Sequence, residues 1–152
     1  MNKLELVEGY TEFLRRYKWN LFGSLTFATR PPAAIADRIF HRWIAEVENG
    51  CPSLDLRWTE PQVQQESGEV QFRWVRVAER GRSGDNLHFH VLLGGLRHPS
   101  KYPPLLLWND LAGEALLYYF NPNRHGVEYM IKTVKPGQPF EIDFQLPPVV
   151  RE

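Results

Sequence analysis

The chain has 152 residues, 43% of them hydrophobic and 24% charged, which is the size and composition of one globular domain. Its single cysteine excludes an internal disulfide framework, and a charged N-terminus without any long apolar run favours a cytoplasmic protein with no membrane span. The 18 basic and 18 acidic residues cancel, which counts against a protein that coats nucleic acid, because phosphate neutralisation supplies most of that affinity.

The first third of the chain predicts a helix, a strand and a second helix. Apolar residues recur at spacings of three and four over residues 4–17, the pattern of an amphipathic helix. The run "WNLFGSLTFATR" is rich in aromatic and β-branched residues and predicts a strand over residues 20–29. Pro31 and Pro32 suit the start of the next amphipathic helix, which we expect to end at Asn49-Gly50.

The middle of the chain predicts a hairpin that follows a long connection. Residues 51–69 are polar and interrupted by proline and glycine, which indicates a loop or a short hairpin arm. The segment "VQFRWVRVAE" alternates as a strand does, and "RGRSGDN" has the composition of a hairpin connection. We expect "LHFHVLLGG" to be the returning strand, paired antiparallel with the first.

The last third predicts a short helix, a strand and another helix. The short helix begins at Pro103 or Pro104 and ends at Gly113, and "EALLYYFNP" reads as the strand that follows. A helix from about Arg124 to Val134 completes a domain that we assign to residues 1–135. Residues 136–152 are rich in proline and predict an edge strand or a loose tail.

This element order predicts an α+β fold. Antiparallel strands with helices packed on one side of a central sheet form the split-βαβ, ferredoxin-like or RRM-like class.

Two histidines one residue apart stand out in the returning strand. Alternation points His88 and His90 to one face of the sheet and Phe89 to the other. Two imidazoles can share a metal ion, and Glu79, at the end of the preceding strand, is the natural third ligand. A set of one oxygen and two imidazoles suits Mg²⁺ or Mn²⁺ better than a closed zinc site. The alternative is that the pair are ordinary sheet residues and Glu79 is a hairpin charge.

A second pair of chemically active residues lies near the end of the domain. Tyr129 and Lys132 are three apart on a predicted helix and therefore share a face. A cation beside a phenol favours the phenolate and makes tyrosine a better nucleophile. The alternative is an extended lysine that packs beside an aromatic residue at the edge of the core.

Three motifs in order resemble the signature of HUH endonucleases, the nicking and joining proteins of rolling-circle replication and of some transposons. They are "FGSLTFA" around Thr26, the His-hydrophobe-His run His88–His90, and the Tyr-x-x-Lys run Tyr129–Lys132, together covering residues 19–135. The tyrosine follows the histidines, as in the replication-initiator branch, and stands alone in its motif, so the chain is similar to the single-tyrosine initiators. Tyr118 and Tyr119, on the strand before, are interpreted as packing residues, with the alternative that one of them approaches the site.

The resemblance implies a sequence-specific nickase and ligase for single-stranded DNA at an origin or hairpin nick site. It implies an ion held by His88, His90 and Glu79, attack by Tyr129 to give a 5′-phosphotyrosine, and charge stabilisation by Lys132. Residues 73–101 hold six basic residues against two acidic ones, so basic side chains there could contact the DNA backbone. The candidate DNA-binding residues are Thr26, Arg73, Arg76, Arg80, Arg82 and Lys101.

Other functions stay open at this point. A transposase that nicks and joins single-stranded ends would use the same residues, and a non-catalytic single-strand-binding sheet would share the topology. A histidine-triad nucleotide hydrolase would need a third histidine, where this chain has Leu92. The P-loop motif of a helicase is absent from the sequence, so unwinding would require a separate protein.

Overall fold

The computed structural model of the chain describes residues 3–54, 71–80, 87–97, 100–123, 126–132 and 142–147. Within these residues, five strands form one antiparallel sheet in the order β4-β1-β3-β2-β5. The strands are β1 (Leu21–Phe27), β2 (Arg73–Arg80), β3 (Leu87–Gly94), β4 (Gly113–Tyr119) and β5 (Ile142–Gln145). The helices are α1 (Lys3–Leu14), α2 (Ala33–Glu48), α3 (Tyr102–Leu111) and α4 (Gly126–Lys132).

The central six elements follow the split-βαβ pattern. β1, α2 and β2 form one unit and β3, α3 and β4 the second, with β3 inserted between β1 and β2 in the sheet. All neighbouring strands are antiparallel, as a ferredoxin-like sheet requires. The α+β class predicted from the sequence is confirmed, with α2 and α3 packed on one side of the antiparallel sheet as expected, and α1 and α4 lie on the other side.

The main core lies between α2, α3 and one face of the sheet, called here the first face. Phe40 and Trp43 of α2 and Trp108 of α3 are fully buried there, together with Leu25 and Phe89 of the sheet. The indole N–H groups of two of these tryptophans are also hydrogen-bonded. The Nε1 atoms of Trp43 and Trp108 donate to the carbonyl oxygens of Pro104 and Thr26 at 2.9 Å each.

The opposite or second face carries a smaller core against α1 and α4. Leu92 and Val75 of the sheet are buried there, with Leu14 of α1 and Ile131 of α4. This smaller core covers only part of the second face, and His88, His90 and Glu79 stand on the same face. The second face therefore combines a packed region with a surface that a ligand can reach.

The structure shifts several predicted boundaries. The predicted first helix extended to Tyr17, but α1 ends at Leu14, where Arg16 N–H and Tyr17 N–H bond three residues back and tighten the last turn. The predicted edge strand after Lys135 is found as β5, which pairs with β2. The expected hairpin connection and residues 55–69 of the expected long loop lie outside the described residues.

Gly23 shows how closely the strands approach one another. A Cβ atom at this position would overlap the carbonyl oxygen of Leu116 on β4. The glycine in "LFGSLTF" is therefore required by strand packing. Among the described residues, none of the helices combines the length and the apolar character needed to cross a bilayer.

Candidate metal centre

Glu79, His88 and His90 are brought together by the pairing of β2 with β3. Glu79 is the direct partner of His88, and His90 pairs with Val77, two residues before Glu79. Directly paired residues of an antiparallel sheet share a face, as do residues two apart on a strand. The three side chains consequently converge on the second face, while Phe89 packs into the main core on the first.

The three functional groups meet at one carboxylate oxygen. The Nε2 atoms of His88 and His90 lie 2.9 Å and 2.7 Å from Oε2 of Glu79. The two imidazole rings are 5.2 Å apart between centroids and inclined at 72°. One ligand atom from each residue lies within 4.8 Å of the other two, so a single ion could contact all three.

The environment of Glu79 favours its ionised form. Burial raises the pKa of the carboxyl group, but the hydrogen bonds to His90 and His88 and the charges of these two residues lower it by a larger amount. The net result is a pKa below the usual value for glutamate. Because a carboxylate only accepts hydrogen bonds, each histidine donates its Nε2–H in this arrangement.

The donor set fits a divalent cation. The three groups are partly open to solvent, with side-chain exposures of 34% for Glu79, 23% for His88 and 11% for His90. One carboxylate and two imidazoles leave room for water and a substrate oxygen, as catalytic metal sites do. The histidines would release their Nε2 protons on binding, which makes affinity dependent on pH.

Helix α4 lies on the same face of the sheet as these three residues. Val127, Met130 and Ile131 are buried against the sheet and α1, and Glu128 forms an ion pair with Arg15 just after α1. Met130 and His90 line one cavity, so α4 borders the candidate metal centre. Tyr129 and Lys132 belong to this helix, but their side chains lie outside the described part of the structure.

The candidate DNA-binding residues fall into different environments. Thr26 is exposed on β1, two residues from Ser24, which pairs with His90, and its hydroxyl donates to the carbonyl oxygen of Glu114 at 3.2 Å. Lys101 lies at the start of α3, near the β4 edge of the sheet. The Arg80 side chain and all of Arg82 lie outside the described residues.

Two of the predicted arginines make contacts within the fold. Arg73 donates from Nε to the carbonyl oxygen of Lys18 at 2.8 Å, at the end of β2 remote from Glu79. Arg76 points to the first face, where its guanidinium lies 4.6 Å and 4.7 Å from the ring centroids of Phe40 and Phe89. The structure does not bring either guanidinium together with the candidate metal centre.

A second histidine and carboxylate cluster was not anticipated from the sequence. Asp37 and His41, four apart on α2, meet Asp143 of β5 on the first face, and their ligand atoms also lie within 4.8 Å of one another. Arg76 reaches into this cluster, with Nη1 2.9 Å from Asp37 and Nη2 3.5 Å from Asp143. The i,i+4 spacing on α2 was a detectable signal, but the participation of Asp143 was not.

Comparison of the chain with protein-family models, with curated proteins and with solved structures gives no match.

Proposed function

We propose that this chain is a metal-dependent endonuclease and strand transferase of the HUH type that acts on single-stranded DNA. The observation that carries the proposal is the convergence of Glu79, His88 and His90 on the face of the sheet that α4 borders. The sequence places Tyr129 and Lys132 on that helix. The candidate nucleophile and the candidate metal ligands therefore belong to neighbouring elements on one side of the sheet.

Glu79, His88 and His90 would hold Mg²⁺ or Mn²⁺. When bound, the ion supplies polarisation of the scissile phosphate and stabilises the charge that develops on its oxygens. Glu79 is suited to this role because its lowered pKa keeps the carboxylate ionised. The hairpin holds the three ligands in register, which limits the ordering that binding requires.

Tyr129 supplies the nucleophile in this proposal. Its phenolic oxygen forms a bond to phosphorus as the bond to the 3′-oxygen of the neighbouring nucleotide breaks, and the phenol proton is transferred to that leaving oxygen. The products are a 5′-phosphotyrosine and a free 3′-hydroxyl. Lys132, one helical turn away, favours the phenolate and the negative phosphate. A returning 3′-hydroxyl can reverse the step, so nicking and joining are one reaction.

The biological setting that we favour is initiation of rolling-circle replication of a plasmid or phage. The order of the motifs, with a single tyrosine after the histidines, is that of the replication-initiator branch rather than of the conjugative relaxases. A transposase that nicks and joins single-stranded ends would use the same residues and is the alternative. A domain that only binds single strands would need neither the metal ligands nor the Tyr129–Lys132 pair. Duplex unwinding would be the task of a separate helicase.

The test is capture of the covalent intermediate. The protein is incubated with Mn²⁺ and a pool of random single-stranded oligonucleotides, and protein–DNA adducts that resist denaturation are separated by gel electrophoresis. We expect an adduct with wild-type protein, none after addition of EDTA, and none with Tyr129→Phe. Sequencing of the captured DNA would identify the nick site.

Tyr17→Phe is the matched control, because Tyr17 follows α1, its hydroxyl donates to the carbonyl oxygen of Pro147, and removal of that hydroxyl should leave adduct formation unchanged. A folded wild-type protein that forms no adduct with Mg²⁺ or Mn²⁺ contradicts the nickase proposal. An adduct with Tyr129→Phe shows that the nucleophile is another residue.

A further inference from the structure

A groove leads from the candidate metal centre towards the β4 edge of the sheet. It encloses a cavity of about 240 Å³ between β1, β4, β3 and the start of α4. The side chains that define it belong to Phe22, Ser24, His90, Leu116, Tyr118 and Met130. Since His90 also contacts Glu79, the groove and the candidate metal centre share a wall.

The outer wall of the groove is an exposed aromatic surface. Tyr118 is 51% exposed and Leu116 is 49% exposed, although both occupy the sheet face that elsewhere carries buried residues. Tyr118 and Tyr119 are therefore not the buried packing residues expected from the sequence, because β4 is an edge strand of the described sheet. The centroid of the Tyr118 ring lies 5.4 Å from that of the Phe22 ring, at an interplanar angle of 33°, so the two rings pack against each other.

A lysine lies at the outer end of the same surface. Nζ of Lys101 is 6.0 Å from the ring centroid of Tyr118, 5.5 Å from that of Tyr119 and 5.7 Å from that of Tyr102. Three half-exposed tyrosine rings thus surround one ammonium group. This combination of stacking faces and a cation is what proteins use to bind single-stranded nucleic acid.

We propose that this groove binds one unstacked base of the DNA strand beside the scissile phosphate, with the base against Tyr118 and the next backbone phosphate on Lys101. The assignment rests on the proposed function in taking DNA as the substrate, and it adds the residues that read or hold the flanking nucleotide. His90 and Tyr118 are two strands and two residues apart, a Cα separation of about 12 Å. That length places the groove next to the reacting phosphate.

The dimensions and chemistry of the groove favour a base over an apolar peptide. The cavity is smaller than the roughly 300–1,000 Å³ typical of whole-ligand pockets, so it suits a single ring system. Ser24 and His90 add polar groups to the lining beside Phe22 and Tyr118. Lys101 adds positive charge where a phosphate would follow the base.

The test measures DNA binding in EDTA, where no strand can be cut. Fluorescence anisotropy of a labelled 20-nucleotide thymidine oligomer gives the Kd of wild type, Tyr118→Ala, Tyr118→Phe and Phe144→Ala. Phe144 is the matched control, because it is 50% exposed, lies on the same face and aligns with Tyr118 across the sheet at the opposite edge. We expect Tyr118→Ala to weaken binding about 5- to 100-fold, and Tyr118→Phe and Phe144→Ala to bind as wild type.

Lys101→Met gives an independent readout. If Lys101 contacts one phosphate, the slope of log Kobs against log salt concentration should decrease in magnitude by about 0.7 for a single strand. Equal loss of binding in Tyr118→Ala and Phe144→Ala would overturn the proposal. It would also be overturned if Tyr118→Ala bound DNA normally but turned a dimer into a monomer in sedimentation, since the groove would then hold a second copy of the chain.

These outcomes are separate from those of the nickase test. Normal adduct formation together with wild-type DNA binding by Tyr118→Ala would reject the groove and leave the proposed function intact. Selective loss of binding in Tyr118→Ala without any adduct in wild type would support the groove and reject the nickase.

Discussion

Replacement of Glu79 by glutamine is expected to abolish stabilisation of the fold by Mn²⁺. The variant keeps the size of the side chain and an oxygen that can accept from His88 and His90, so the hairpin should still form. It removes the negative charge on which binding of a hard divalent ion depends. The change thus separates the metal site from the structural hydrogen bonds that surround it.

The expected magnitude follows from linkage. The ligand atoms already lie within 4.8 Å of one another, so little binding energy is lost to ordering. A ligand present at 100 times its Kd stabilises the folded state by about 2.7 kcal/mol. For a domain of this length each kcal/mol raises Tm by roughly 2–4 °C. Wild type should therefore melt about 5–11 °C higher in saturating Mn²⁺ than in EDTA.

The assay is thermal unfolding followed by circular dichroism, with a titration of Mn²⁺ and then of Mg²⁺. Glu79→Gln should show almost no metal-dependent shift, while its Tm in EDTA should fall by only a few degrees, because charge-assisted hydrogen bonds are replaced by weaker neutral ones. Asp37→Asn is the matched control, since it removes a half-exposed carboxylate from the second cluster on the opposite face. It should keep the full shift.

Two results would refute the reasoning. An unchanged shift in Glu79→Gln would show that the carboxylate is not a ligand. A shift that is lost in Asp37→Asn and kept in Glu79→Gln would place the ion at the second cluster, on the face of the sheet away from α4.

Three further predictions concern the stability of the fold. Gly23→Ala should lower the free energy of unfolding in urea by at least about 3 kcal/mol, because its Cβ would overlap the Leu116 carbonyl oxygen. Gly9→Ala, in an open position of α1, should raise the same free energy by about 0.5–1 kcal/mol. Similar effects of the two substitutions would contradict the strand packing. Arg76→Ala should lower the free energy of unfolding by about 2–3 kcal/mol, and Arg76→Met should lower it less, because methionine keeps the contacts with the aromatic rings. Equal losses in the two variants would show that the charge of Arg76 dominates its contribution. Burial raises the pKa of Cys51 from 9.0 to about 12, so the thiol's contribution to stability is complete below pH 9 and is lost progressively towards pH 12. In urea unfolding at different pH values, Cys51→Ala should lack that alkaline loss of stability. Parallel pH profiles of wild type and Cys51→Ala would refute this prediction.

The sequence is sufficient to predict the candidate metal centre because the relevant rules are local. Alternation along β3 places His88 and His90 on one face, and a hairpin brings the end of β2 opposite the start of β3. Once the hairpin has formed, the residues directly opposite Glu79 are those at the start of β3. The strand order follows in the same way, since short connections and the split-βαβ pattern restrict the topology.

Other features depend on contacts between distant parts of the chain and leave no local pattern. "RWVRVAER" reads as a basic strand, and nothing in it distinguishes Arg76, inserted between two rings of the core, from an arginine available to DNA. Likewise, alternation shows which face Tyr118 occupies but cannot show that β4 is at an edge, where the ring stays exposed. Both distinctions arise only when the sheet is assembled.

The two histidine and carboxylate clusters differ in how their negative charge is balanced. On the first face, the guanidinium of Arg76 lies against both Asp37 and Asp143, so a fixed cation already occupies the position between the carboxylates. A divalent ion entering there would have to displace the partly buried Arg76 side chain and leave its charge unpaired, at a cost on the order of several kcal/mol. On the second face, Glu79 meets two imidazoles, which can give up their protons and accept an ion in their place. We therefore expect a metal ion to bind to the cluster beside α4 and not to the cluster on the first face.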